Sequence, residues 1–174
     1  MNNQPETTEI TIGKATIKDL SQIKSLGTTS YKQYAEVIGN EHWAVMERNL
    51  NNDEMLRTML NKATCFVARN IDQIVGMAFL LPSGNTVDVY EADWCSVRLV
   101  AVHPDFRGKQ IAKTLTKACI EQAIVSGEKI MALHTSTMMP AAVSLYENLG
   151  FKKLKDIGSR FGQPYFLYTL NLSF

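Results

Sequence analysis

The sequence predicts a single α/β domain in which helices and a mixed β-sheet pack in layers. The chain has 174 residues, of which 45% are apolar and 20% are charged, and this balance suits one globular domain with a sizeable core. After a short first strand, apolar residues recur at helical spacing, and strands and helices then alternate along the rest of the chain. The sequence contains no internal repeat or low-complexity stretch that would divide the domain further.

The first residues predict a polar tail and a short strand. Residues 1–9 are polar, and we expect a flexible tail there and one domain over residues 10–174. Because this start lacks basic residues and an apolar stretch, we expect no secretory signal and a cytoplasmic protein. Residues 10–16 partly alternate between apolar and polar side chains, which is typical of a strand.

The region from residue 18 to residue 60 predicts two or three helices. Leucine, isoleucine and methionine side chains recur there at helical spacing. Gly27, Gly39 and the pair Asn51-Asn52 interrupt the pattern, and we expect the helices to break at these positions. Asp53 is expected to cap the last helix through its side chain.

The remainder of the chain predicts three strands, followed by helices and strands. Residues 64–69 and 74–81 are rich in strand-forming side chains and flank a turn, so they predict a hairpin. The next strand is expected at residues 94–102. The later elements are a helix, a strand, a helix and two strands, expected at residues 107–126, 129–134, 140–149, 151–157 and 165–171.

Charge and composition argue against several classes of function. Lys plus Arg number 18 and Asp plus Glu number 17, so the net charge of +1 offers no basic surface for nucleic acid or an anionic membrane. The longest apolar run, residues 74–82, is far shorter than the roughly 20 residues of a membrane helix. The three cysteines and three histidines are scattered, so we expect neither disulfides nor a metal site.

The segment from Val97 to Leu115, VRLVAVHPDFRGKQIAKTL, carries the strongest functional signal. A strand runs through a proline-containing turn into a helix that begins Arg107-Gly108-Lys109. A helix N-terminus offers unpaired N–H groups and the positive end of the dipole, which suit a diphosphate. The alternative is the basic first turn of an ordinary surface helix. The segment contains neither a P-loop nor a GxGxxG pattern.

This segment resembles the acetyl-CoA-binding motif of the GNAT superfamily of acetyltransferases, Q/R-x-x-G-x-G/A. Arg107, Gln110 and Ala112 stand at its defined positions. A second segment, AVSLYENLGF at residues 142–151, is similar to the family's A-x-x-L-Y-E-x-L-G-F. The resemblance covers nearly all of the chain from Ile10 onward. It implies the GNAT fold, with a central mixed, mostly antiparallel sheet flanked by helices, and an N-acetyltransferase that uses acetyl-CoA.

The resemblance also implies roles for residues of both segments. The backbone of Leu99 to Val102 would bond the pantetheine arm, and the Val100 N–H would face the thioester carbonyl. The N–H groups of Gly108 to Lys113 would hold the pyrophosphate. Tyr146 would protonate the leaving thiolate, although an apolar helix face also fits a core tyrosine. The implied acetyl-CoA contacts are Leu99, Val100, Ala101, Val102, Arg107, Gly108, Lys109, Gln110, Ile111, Ala112, Lys113 and Tyr146.

The acceptor implied by the family is a primary amine, on a small molecule or a peptide, that attacks the thioester directly. Candidate bases are Glu91, which is taken as the catalytic base, and Asp93 and His134; each also fits a solvated loop residue. The acceptor pocket is expected from the helices of residues 18–60 and from the loop of residues 82–93. The aromatic side chains there either line an apolar or cation-accepting pocket or simply pack the helices; they are Tyr31, Tyr34, Trp43, Tyr90 and Trp94.

Two departures from the family pattern affect the cofactor site. Gln110 stands where the family usually has glycine, and we expect it to have a helical φ. Met139 stands where many members have asparagine. Both departures support an alternative, a non-catalytic acyl-CoA-binding or sensing domain. A covalent route through Cys95 or Cys119 is set aside, and a homodimer is expected on the family's analogy alone.

Overall fold

The computed structural model describes residues 9–85 and 89–173, which form one seven-stranded sheet with helices on both faces. The strands are β1 (Ile10–Lys14), β2 (Thr64–Asn70), β3 (Gln73–Leu81), β4 (Cys95–Val102), β5 (Ile130–Ser136), β6 (Lys152–Arg160) and β7 (Gln163–Asn171). The sheet order is β1-β2-β3-β4-β5-β7-β6, and every pair of neighbours is antiparallel except β4 and β5. The predicted fold class is confirmed.

The described helices agree with the predicted order but correct three details. They are α1 (Leu20–Tyr31), α2 (Ala35–Leu50), α3 (Asp53–Lys62), α4 (Ile111–Val125) and α5 (Pro140–Asn148). Gly39 interrupts α2 with a φ of +81°, as predicted. The expected break at Gly27 is wrong, because Gly27 is buried inside α1, beside the side chains of Leu50 and Met77. The cap of α3 is Asn52, which accepts the Met55 N–H, and not Asp53.

The third correction is the start of α4. The helix predicted from residue 107 begins at Ile111. A short 3-10 helix, Pro104–Phe106, and a turn at Gly108 with a φ of +75° come first. Only glycine adopts that φ without steric cost, and the turn at Gly108 separates the 3-10 helix from α4. The loop between β4 and α4 is therefore longer than predicted.

Each face of the sheet carries its own apolar core, because side chains alternate along the strands. On β2, Ala68 packs with α4 and α5, whereas Val67 packs with α1 and α3. The closest approach is at Gly76 of β3, where a Cβ would lie 2.5 Å from the Ile111 side chain. This glycine lets the first turn of α4 sit directly on the sheet, which fixes the position of the helix N-terminus.

The strands β4 and β5 separate soon after they begin. Their pairing is confined to Cys95 and Ser96 of β4. Along its other edge β4 contains a bulge, where two of its residues oppose Ala78 and Leu99 has a left-handed φ of +49°. Beyond Ser96, the edge of β4 that faces β5 has no strand partner among the described residues, and a cleft opens between the two strands.

The predicted tail, residues 1–9, lies outside the described residues except for Glu9. Within the described ranges, no helix is both long enough and apolar enough to cross a membrane.

Candidate active site

A cavity of about 670 Å³ occupies the cleft between β4 and β5. One end meets the N-terminus of α4, and the lining continues to the C-terminal parts of α1 and α2 and to the turn between β6 and β7. The sequence-predicted site residues that line it are Leu99, Val100, Ala101, Val102, Arg107, Gly108, Gln110, Ile111, Ala112, Lys113 and Tyr146. Lys109 and Glu91 are not part of this lining. The fold thus brings both sequence motifs to one cavity.

The N-terminus of α4 gives the cavity an anion-binding end. The Thr114 N–H donates to the Gln110 carbonyl at 2.9 Å, which is the first intrahelical bond of the helix. The N–H groups of residues 111–113 precede that bond and have no partner within α4. Together with the positive end of the helix dipole, these N–H groups suit a phosphate or diphosphate group.

Gln110 departs from the expected helical φ and adopts a left-handed conformation, with a φ of 63° and a ψ of 15°. This conformation costs an L-residue about 1–2 kcal/mol, a cost that glycine does not have. The glycine that the family motif has at this position therefore has a local physical reason. The Gln110 side chain lines the cavity without filling it, so the substitution strains the turn and leaves the cavity open.

The basic side chains of this turn have separate partners. Arg107 donates to the Ser30 carbonyl at 3.0 Å, at the C-terminal end of α1. The Lys109 ammonium lies 5.0 Å from the centre of the Phe106 ring. Lys113, one turn into α4, is the lysine of this region that lines the cavity. Arg107 therefore ties the loop before α4 to α1, which positions the anion-binding end.

Tyr146 of α5 is buried, and it lines the cavity near the bulge of β4. Its ring contacts Phe151 edge to face, with ring centres 5.8 Å apart. Burial raises the pKa of Tyr146 well above that of an ordinary phenol, and the neighbouring hydroxyls of Tyr31 and Tyr34 add to the rise. Tyr31 itself donates to the Val100 carbonyl at 3.2 Å. Tyr146 therefore brings a protonated phenol to the cavity that the bulged part of β4 also lines.

Of the three candidate bases, only His134 lines the cavity. Glu91 and Asp93 are exposed, in the loop before β4. His134 Nδ1 is hydrogen-bonded to the hydroxyl of Tyr90, which is buried, and the two rings stack with their centres 5.8 Å apart. The Tyr165 ring lies 5.9 Å away. These contacts orient the imidazole toward the cavity.

The cysteines do not line the cavity. Burial raises the pKa of Cys95 and of Cys119 to about 12, which disfavours the nucleophilic thiolate. The Cys95 thiol donates to the Ile130 carbonyl at 3.4 Å. Among the described residues, no three His, Cys, Asp or Glu side chains are grouped so that they could hold a metal ion.

Comparison with known proteins addresses the two motifs directly. The profile of the acetyltransferase (GNAT) domain matches residues 61–153, which is more than half of the chain. The chain belongs to the GNAT acetyltransferase family. The matched range contains β4, the N-terminus of α4, and Tyr146, so the predicted family is confirmed on the segments that suggested it.

Individual relatives agree with this GNAT assignment. The uncharacterized N-acetyltransferase YjgM of Escherichia coli K12 is 38% identical over 64 residues, which cover 37% of this chain and 38% of that relative. The chain thus spans well under half of this curated relative's length.

Solved structures show the same GNAT fold. The PaiA N-acetyltransferase from Thermoplasma acidophilum, in complex with coenzyme A, superimposes with a TM-score of 0.78 at 19% identity, covering 94% of this chain and 99% of that one. YncA from Salmonella typhimurium, a putative acetyltransferase with acetyl-CoA, has a TM-score of 0.67 at 20% identity and covers 94% of each chain. At these identities the likeness establishes the fold alone.

The far end of the GNAT cavity agrees only in part with the predicted acceptor pocket. Tyr31 and Tyr34 line it, and side chains of α2 such as Met46 contribute as expected. Trp43 and Trp94 do not line it. The described residues of the loop 82–93 are also absent from the lining, and residues 86–88 of that loop lie outside the described ranges.

Residues that the sequence reasoning missed complete this end. Arg98 of β4, Arg160 at the end of β6, Phe161 in the following turn and Tyr165 of β7 all line the cavity. The sequence contained one signal for them, because Arg98 is a charged side chain inside the apolar strand VRLVAV. Arg160 and Tyr165 gave none, since only the pairing of β7 with β5 and with β6 brings them to the cavity that His134 lines.

Proposed function

We propose that this GNAT domain transfers an acetyl group from acetyl-CoA to the primary amine of a small acceptor by direct attack. One observation carries the proposal: a single cavity joins the anion-binding end of α4, the open edge of β4, Tyr146 and His134. A merely structural cleft would not need a protonated phenol and an oriented imidazole in one cavity. The cytoplasmic location and the homodimer stay predictions.

The chain's own groups fit acetyl-CoA as a co-substrate. The N–H groups of residues 111–113 would hold the pyrophosphate, and the edge of β4 beyond Ser96 would hydrogen-bond the amides of the pantetheine arm as an added strand does. Gly108 leaves open space where a side chain would project, because nothing lies within 4 Å of the place of a Cβ. Acetyl-CoA supplies an activated acetyl group whose carbon accepts the amine.

His134 acts before the bond to carbon forms. It takes the proton of the acceptor's ammonium group, so that the nitrogen lone pair can attack the thioester carbon. The Val100 N–H donates to the carbonyl oxygen as negative charge develops there. Tyr90 holds the His134 ring through its hydrogen bond to Nδ1, and it is a positioning residue.

Tyr146 acts as the C–S bond breaks. It gives its proton to the departing sulfur and regains one from the acetylated nitrogen, which carries an extra proton at that stage. Because burial raises the pKa of Tyr146, a lasting phenolate is unfavourable, so we expect the two proton transfers to be coupled. The products are an amide and a free thiol, and the proton on His134 leaves to solvent.

A titration of the purified protein with acetyl-CoA, followed by thermal unfolding, tests the first half of this proposal. Ligand at 100 times its Kd should stabilise the fold by about 2.7 kcal/mol. For a domain of this size that is a rise in Tm of about 5–10 °C. An amine screen with detection of the released thiol tests the second half. A rise in Tm without release of thiol from any amine would favour the non-catalytic acyl-CoA-binding domain.

A further inference from the structure

We propose that the acceptor amine also carries an oxyanion group, a carboxylate or a phosphate, which Arg98 and Arg160 bind. This inference rests on the proposed acetyl transfer and names the class of its acceptor. Both arginines line the cavity that His134 also lines. They point to a small molecule with one amine and at least one negative charge.

Arg98 provides the first cationic position. It lies on β4 directly before the bulge, half-buried, with its guanidinium carbon 5.4 Å from the centre of the Tyr90 ring. Tyr90 in turn hydrogen-bonds His134, so this cation lies one side chain away from the proposed base. Among the described residues Arg98 forms no ion pair with a carboxylate. A half-buried arginine with no ion pair among the described residues is well suited to an anionic ligand.

Arg160 provides the second cationic position in the lining of the cavity. It ends β6 and is half-buried. The centre of the Tyr165 ring lies 5.9 Å from the centre of the His134 ring. Burial raises the pKa of Tyr165 to about 12, and the positive charge of Arg160 opposes that rise. The two arginines therefore lie near the two aromatic neighbours of His134.

The charge of the whole lining agrees with an anionic acceptor. The described residues that line the cavity include no Asp or Glu, whereas they include Arg98, Arg107, Lys113 and Arg160. Among the described lining residues, a second ammonium group on the acceptor would meet arginine and lysine side chains and no carboxylate. A polyamine is therefore disfavoured, because like charges brought together in a partly desolvated site repel each other strongly.

The covering of the cavity favours a small acceptor over a protein chain. Phe161, in the turn between β6 and β7, packs against Met46 and Leu50 of α2. Next to it, a Cβ on Gly162 would lie 2.9 Å from the His42 ring, so α2 and the turn are in direct contact. α2 and this turn, which both line the cavity, therefore cover part of it, and this leaves less room for a protein chain than for a small molecule.

Matched pairs of acceptors test the inference by thiol release. The pairs are alanine with ethylamine, histidine with histamine, and phosphoethanolamine with ethanolamine; spermidine represents a polycation. We expect kcat/KM to be higher for the oxyanion-bearing member of at least one pair by about 10- to 100-fold, mainly through KM. A preference within the first two pairs indicates that the site binds a carboxylate, and a preference within the third pair indicates that it binds a phosphate. Equal kcat/KM within every pair, or a preference for spermidine, would overturn the inference.

Arginine variants connect that preference to the site. Arg98→Met should bring the ratio within the preferred pair close to one, and Arg98→Lys should retain part of it. Arg48→Met removes an exposed arginine of α2 outside the cavity lining, and the ratio should not change. An acetyl-CoA-induced rise in Tm equal to wild type shows that each variant is folded. An unchanged ratio in folded Arg98→Met would contradict the role of Arg98.

The failure of this inference differs from the failure of the proposed function. If acetyl-CoA binds and oxyanion-free amines are acetylated best, the acetyl transfer stands and the inference is wrong. If no amine is acetylated, calorimetry can still measure how tightly the two members of each pair bind to the protein in the presence of CoA, and this comparison decides the inference. Tighter binding of the oxyanion-bearing member would support it, and equal or absent binding would overturn it.

Discussion

Replacement of Tyr146 by phenylalanine is expected to lower kcat about 100- to 1,000-fold, with no change in the affinity for acetyl-CoA. The substitution removes only the hydroxyl, so the ring contact with Phe151 is kept. General acid catalysis by a positioned side chain contributes roughly 10²–10⁴-fold, which sets the size of the effect. Steady-state thiol release measures kcat, and thermal titration measures acetyl-CoA binding.

The pH dependence of the wild-type protein gives a second measure of Tyr146. A group with a raised pKa stays protonated as pH increases until that higher pKa is reached. Burial raises the pKa of Tyr146 above the ordinary phenol value of about 10. At pH values below about 10, ionisation of Tyr146 should therefore cause no loss of kcat.

Tyr168 provides a matched control for this substitution. It is also buried, and its hydroxyl donates to Glu147 at 3.3 Å, but it does not line the cavity. Tyr168→Phe should therefore retain wild-type kcat. If Tyr146→Phe and Tyr168→Phe were equally active, Tyr146 would be a core tyrosine, which is the alternative that its apolar helix face left open.

Replacement of His134 by glutamine is expected to lower kcat/KM about 100-fold or more at neutral pH. Glutamine keeps a polar side chain in the cavity but cannot take a proton from the ammonium group. The deficit should shrink as pH rises, because a growing share of the acceptor is then already neutral. The full pH profile of kcat/KM for both proteins measures this convergence.

Tyr90→Phe separates a base from a structural histidine. It removes the hydrogen bond to His134 Nδ1 and keeps the ring, so we expect a smaller loss of activity and a shifted pH profile. A His134→Gln protein whose profile runs parallel to that of wild type at every pH would contradict the assignment.

The same experiment on Glu91→Gln should show wild-type behaviour, since Glu91 is exposed outside the cavity lining.

The order of elements and one end of the cavity were predictable because both depend on local signals. Strand-forming runs and helical spacing determine the elements, and the signature around Arg107 and Tyr146 identified the family. These signals lie within short stretches of chain, so one sequence is enough to detect them.

Backbone conformation was less predictable. Gln110 occupies a left-handed position although its residue type gives no sign of it, and Leu99 does the same at the bulge of β4. In both cases the surrounding structure overrides a local preference of an L-residue, which costs free energy. Gly27 shows the reverse, because a residue that usually breaks helices remains in α1, buried beside the side chains of Leu50 and Met77.

The acceptor end was the least predictable part of the site. Arg98 and Arg160 are far apart in sequence and meet one cavity only after β7 pairs with β5 and with β6. Glu91 was attractive because it precedes the central strand, yet the loop carries it to the exposed surface. Long-range strand pairing decides such placements, and a single sequence does not reveal it.

Amide hydrogen exchange with and without CoA tests the central claim most directly, which is that the cleft between β4 and β5 and the N-terminus of α4 bind the co-substrate. We expect CoA to slow exchange at residues 97–102 and 108–113 and to leave α3 and β1 unchanged, because bonded amides exchange slowly. Protection confined to other segments, or no protection at saturating CoA, would contradict the account.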